Sequence, residues 1–131
     1  MTKVAASVLV LAALSAPDRA YANPFDRCMS NAGGITAAML DCIGREQADA
    51  DRRLPEVLRK ALESVSPERA RALSSAQATW LAYREAHCDF IVDPDGGTAA
   101  TLMAAECWLS LTRDRVVFLE ALIDADTVLL R

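Results

Sequence analysis

Few side chains in this chain are suited to chemistry, and their spacing limits what they can do. A single histidine, His87, stands between Glu85 and Asp89, the composition of a general base with an orienting acid. Residues two apart on a helix point in different directions, so neither carboxylate is placed to hold the ring. His87 therefore reads as a partly exposed structural residue. Ser74, Ser75 and Ser110 would be nucleophiles only with a base beside them, and the chain has one histidine in all. The acids Asp41, Glu46, Asp49 and Asp51 fall in a helical stretch, whereas a calcium loop needs ligands on an irregular turn with a glycine bend. Asp93 and Asp95, followed by Gly96 and Gly97, resemble such a turn for only a few residues. No catalytic motif, metal site or cofactor site is expected.

What remains is sulfur: Cys28, Cys42, Cys88 and Cys107. No Cys-x-x-Cys pair is present, which argues against zinc. The start of the chain indicates the redox compartment. Lys3, an apolar run from Val4 to Leu14, and Ala20-Tyr21-Ala22 form the pattern of a secretory signal peptide over residues 1–22, cleaved after Ala22. The run is shorter than the roughly 20 residues that span a bilayer. Phe25-Asp26-Arg27 before Cys28 is nothing like a lipobox. The expected product, residues 23–131, is periplasmic or secreted, soluble, and without a membrane span. An even number of cysteines in an exported chain reads as two disulfides, which four cysteines can form in three ways.

Cleavage leaves 12 basic and 17 acidic residues, a net charge of −5. Nucleic-acid binding would need a basic stripe to replace phosphate counterions and is disfavoured. An acidic surface suits a basic protein partner, and equally suits solubility. Roughly a hundred residues make one domain with a modest core, the size class that gains from covalent cross-links.

The apolar periodicity is helical throughout. Asn23 to Gly34, with Pro24 and Gly33-Gly34, has the composition of an irregular lead-in. Thr36 is placed to cap a first helix, whose apolar set Met39, Ile43, Ala50, Leu54, Val57 and Ala61 runs to about Val65. Pro55 interrupts it and predicts a kink or a break near Arg53-Leu54. Ser66-Pro67-Glu68 is a second start signal, with a cap, a proline in the first helical position and an acid at the positive dipole end. That helix is expected to turn Leu73, Ala76, Trp80, Tyr83 and Cys88 inward and to end near Phe90. Pro94-Asp95-Gly96-Gly97 reads as a turn whose glycines accept positive φ, with Thr98 capping a third helix. There Leu102, Ala105, Leu109, Thr112, Val116, Leu119 and Ile123 form a bundle seam. The expectation is an all-α fold: a small antiparallel helical bundle of three main helices, the first kinked or split near Pro55, stapled by two disulfides. The local pairings Cys28–Cys42 and Cys88–Cys107 need the least rearrangement, while a crossed Cys42–Cys88 bond stays open.

Gln77, Trp80, Arg84 and Cys88 share a helical stripe. Facing Thr112 and Arg115 on the third helix, Gln77 and Arg84 would form a buried polar network that fixes the register of the bundle. The competing reading is a solvated edge with arginine stems lying over Trp80.

The segment AQATWLAYREAHCDF and the later GGTAATLMAAECWLSLTRDRVVFL resemble the family named for the lysozyme inhibitor LprI. The shared elements are Gln77, Trp80, Arg84 and Cys88, then Gly96-Gly97-Thr98, Cys107, Thr112, Arg115 and Leu119. Cys28, Thr36, Met39, Cys42, Ala50-Asp51 and Leu54 match in the first half, so the likeness covers residues 23–131. This chain departs where the family usually has asparagine after the leucine and a tyrosine a turn later, having Pro55 and Leu58. The resemblance implies a helical, disulfide-stapled exported protein and, as the activity of the family's namesake, lysozyme inhibition. An acidic binding module would be steered to a basic lysozyme and block its groove without chemistry. Asp93, Asp95, Gly96 and Gly97 are then the candidate partner contacts. The alternative is a structural or accessory envelope protein that docks through its apolar run from Val116 to Leu130.

Overall fold

The computed structural model describes residues 23–129, and side chains through residue 125. The signal peptide expected over residues 1–22 lies outside the described residues. Among the described residues four helices follow in order: α1 (Pro24–Asn31), α2 (Thr36–Ser64), α3 (Pro67–Ile91) and α4 (Gly97–Leu129). The all-α class and the two disulfides agree with the sequence reading, but the helices number four rather than three.

The additional helix is α1, in the stretch read as an irregular lead-in. Asn23 caps it, its Oδ1 accepting from the Phe25 amide at 2.7 Å, and Pro24 supplies the pre-set φ of a first turn. Gly33 and Gly34, at φ of 57° and 80°, then turn the chain back on itself. This lays Phe25 and Met29 against the buried set Ile43, Ala50 and Leu109, and brings Cys28 to Cys42.

Pro55 does not split α2, which continues through it to Ser64. Its ring is exposed, so the backbone bond it deletes lies on the solvent side, where water can satisfy the freed carbonyl. Neither threonine caps as expected. Ile35 holds the N-cap of α2 without a side-chain bond, Thr36 being already helical, and Thr98 sits inside α4, which begins at Gly97. Ser66 does cap α3, its Oγ accepting from the Arg69 amide at 3.4 Å.

Short connections make α2 and α3, and α3 and α4, antiparallel neighbours. The most extensive contact is between α2 and α4, and it is parallel: Gln47 meets Thr112, and Arg53 meets Glu120. The core forms two apolar layers. One holds Leu54, Val57, Ala61, Val116 and Leu119, with Leu73 and Trp80 against it. The other is the Ile43, Ala50 and Leu109 set nearer α1. Tyr83, expected inward, is 52% exposed and stacks on His87 at 5.2 Å between ring centroids.

Candidate functional site

Between the two apolar layers lies a polar one. Thr112 is fully buried, and its hydroxyl donates to the Trp108 carbonyl one turn earlier at 2.7 Å. The same oxygen accepts from Arg84 Nη1 at 2.7 Å and from Gln47 Nε2 at 3.3 Å. The Arg84 side chain, 14% exposed, lies between two indoles, 5.0 Å from the Trp80 centroid and 4.8 Å from that of Trp108. Asp51 on α2 stands 3.8 Å from Arg84 Nη1 and also accepts from Gln47 at 2.8 Å. One turn along, buried Gln77 accepts from Arg115 Nε at 2.7 Å. Arg115 packs over Trp80 and Phe118. Burial pushes the Arg115 guanidinium below its ordinary value, without discharging it at neutral pH. Gln47 Oε1, Arg84 Nε and Arg115 Nη2 are buried without a hydrogen-bond partner among the described residues. Of the five residues expected to form this network, Thr112 and Arg84 meet directly, as do Gln77 and Arg115, with Trp80 between the two arginines. The arginines do lie over Trp80, but the stripe is a buried polar layer rather than a solvated edge.

Three participants were missed by sequence reasoning, Gln47, Asp51 and Trp108. Trp108 lies four residues before Thr112 on the α4 seam, and that spacing was the signal available. Gln47 had none, because its partner lies 65 residues away.

Chemistry remains sparse around this layer. His87 is exposed and stacks on Tyr83, with no hydrogen bond to Glu85 or Asp89 among the described residues. Among those residues no group of three or more His, Cys, Asp or Glu side chains converges on a metal position. Of the α2 acids, Asp51 belongs to this layer, whereas Asp49 pairs with Arg52 and Glu46 with Arg113.

The turn joining α3 to α4 is closely built. Cys88 near the end of α3 and Cys107 on α4 are disulfide-bonded beneath it. Asp93 Oδ1 accepts from the Asp95 amide at 2.9 Å, and the Asp93 carbonyl accepts from the Gly96 amide at 3.0 Å. Of the two glycines expected to adopt positive φ, only Gly97 does, at 62°. Gly96 is required for space, since a Cβ there would lie 2.5 Å from the Ala100 Cβ and 3.1 Å from that of Asp93. Gly96→Ala is expected to force the turn open and cost about 2 kcal/mol, read as a lower urea midpoint at unchanged slope. Asp93 and Asp95 are both exposed.

With that arrangement in view, the family comparison is decisive. The model of the lysozyme inhibitor LprI family matches residues 28–119, from the first cysteine to the last fully buried leucine of α4. The chain belongs to the LprI family. Comparison with curated proteins and with solved structures returned no match. The matched LprI segment contains both disulfides, the polar layer and the α3–α4 turn. Where this LprI chain departs from the usual family pattern, Pro55 is exposed and Leu58 packs partly buried against the larger apolar layer. Among the described residues, no helix is long and apolar enough to cross a membrane.

Proposed function

We propose that this protein is an exported lysozyme inhibitor that binds the enzyme and occludes its substrate groove. The observation that carries the reading is the LprI family match over residues 28–119. Its chemistry is consistent with binding rather than turnover: the cysteines are tied in disulfides, and the polar layer is turned inward on itself. Two disulfides suit an oxidising compartment outside the cytoplasm, where a lysozyme would be met. The net charge of −5 over residues 23–131 attracts a basic enzyme and speeds encounter. The exposed Asp93 and Asp95 on the α3–α4 turn are the contacts proposed first.

The test is turbidity loss of a peptidoglycan suspension under a c-type lysozyme, with and without oxidised residues 23–131, at low and moderate salt. Slower lysis that recovers as salt rises is expected, because exposed charges are screened over about 8–10 Å near physiological ionic strength. Undiminished lysis at a large molar excess would sink the reading.

An accessory envelope role keeps one specific support, the exposure of Val117 and Phe118 on α4. Part of the apolar run that motivated it, beyond residue 125, lies outside the described side chains. A sharp monomer in sedimentation at high concentration, with no partner recovered by crosslinking, counts against that role.

A further inference from the structure

The acidic surplus of this protein is local. The 28 residues from Glu85 to Thr112 contain five acids, Glu85, Asp89, Asp93, Asp95 and Glu106, and no lysine or arginine. The rest of residues 23–131 contains twelve acids and twelve bases, so the whole net charge resides in the α3–α4 hairpin. The ion pairs among the described residues lie elsewhere, at Arg52–Asp49, Arg53–Glu120, Arg59–Glu63, Arg84–Asp51 and Arg113–Glu46. None of the five hairpin acids has a cationic partner among those residues.

The same end of the molecule carries unusual apolar exposure. Phe90, in the last turn of α3, is 86% exposed, the highest value among the large apolar side chains described, and Val92 and Met103 are also exposed. Met103 also lines an open groove with His87, Ile91, Glu106, Cys107 and Leu111, while Phe90 and Val92 stand outside that lining. Single exposed apolar residues are ordinary, but Phe90 and Val92 stand in the chain between the unneutralised Asp89 and Asp93, and exposed apolar side chains rimmed by such charge mark a contact surface. The Cys88–Cys107 bond and the tight Asp93–Gly96 turn hold this surface in place, which lowers the entropy cost of docking it.

We infer that the end of the α3–α4 hairpin is the lysozyme-binding surface. Phe90 is its apolar anchor in the substrate groove, and Asp89, Asp93, Asp95 and Glu106 face cations on the groove's rim. The inference rests on the inhibitor reading and deepens it. An enzyme groove that takes sugar rings offers the largely apolar walls an aromatic anchor needs, and a basic enzyme supplies the charge these acids lack. An aromatic seated centrally and ringed by polar contacts is the usual form of an interface hot spot.

The experiment measures affinity and association rate for a c-type lysozyme in the oxidised residues 23–131 and three variants. Phe90→Ala, whose exposure leaves the core untouched, is expected to weaken binding about 30-fold or more. Asp93→Asn with Asp95→Asn keeps the side-chain oxygen that accepts within the turn. It is expected to slow association about tenfold at low salt and to flatten the salt dependence. Glu56→Gln with Glu63→Gln removes the same charge from α2, away from the hairpin tip, and is expected to change affinity less than about twofold. Circular dichroism and melting confirm that each variant is folded. If the wild type binds and Phe90→Ala binds equally well, the surface assignment is overturned and the inhibitor reading stands. Equal slowing by the α2 pair and the turn pair would also overturn it, since net charge alone would then suffice. A wild type that does not bind lysozyme overturns both.

Discussion

Replacing Arg84 with alanine is expected to destabilise the protein by about 3 kcal/mol, and replacing it with methionine by markedly less. The guanidinium fills the space between Trp80 and Trp108 and donates to Thr112 Oγ1. Alanine empties that space and leaves two indoles facing a gap, which the surrounding helices close only in part. Methionine retains most of the bulk and offers a polarizable sulfur to the rings. It also removes a charge whose Nε is buried without a hydrogen-bond partner among the described residues, a desolvation cost that alanine relieves equally. Thr112 keeps a use for its hydroxyl in either variant, since it donates to the Trp108 carbonyl. Urea denaturation of the three proteins separates the terms. A methionine variant as unstable as alanine would show that the charge, rather than the filled volume, holds this layer together.

Removing the second disulfide, as Cys88→Ala with Cys107→Ala, is expected to cost about 3 kcal/mol, the order expected for releasing a loop of 19 residues in the unfolded chain. Cys88 is fully buried, so the loss is felt in packing as well as in chain entropy. The effect should also be local. Without the bond, the last turn of α3 and the Asp93–Gly96 turn lose their cross-link to α4, and their amides should exchange faster. The expected results are a lower urea midpoint and accelerated hydrogen exchange over residues 89–97, with α2 changed less. An unchanged midpoint would mean that packing against α4 already holds the hairpin closed.

Much of the helical frame was legible because its signals are local. Ser66 and Pro67 announce α3 within three residues, and the α4 seam from Leu102 to Ile123 follows one helical period without a slip. The local disulfide pairings were preferred as needing the least rearrangement, with a crossed Cys42–Cys88 bond left open, and the structure forms the local pair in both cases. Thr36 and Thr98 misled because a capping residue type was read as a cap, whereas the chain enters α2 at Ile35 and α4 at Gly97. The Asn23-Pro24 start of α1 was equally local, and Phe25, Cys28 and Met29 fall at helical spacing, but eight residues are a short run to weigh against a proline and two glycines.

Tyr83 shows where local pattern stops. It lies three residues from Trp80 and on helical spacing it belongs to the same broad stripe, yet α3 touches its neighbours through a narrower face that includes Gln77, Trp80, Arg84 and Cys88. How wide that face is depends on α2 and α4 rather than on α3. The candidate binding end divides in the same way. Its acidic turn and its lack of lysine and arginine were visible as a run of residue types, whereas the exposure of Phe90 required the packed chain.

By itself, the sequence determined the helical class, the oxidised cysteines, the seam of α4 and the family, because each rests on residue types at short, fixed spacing. Only the tertiary structure decided that α2 and α4 run parallel and that Gln47 and Trp108 join Arg84 and Thr112. Those relations join residues tens of positions apart, and their register is set by how whole helical faces fit together, information that no short stretch of the chain contains.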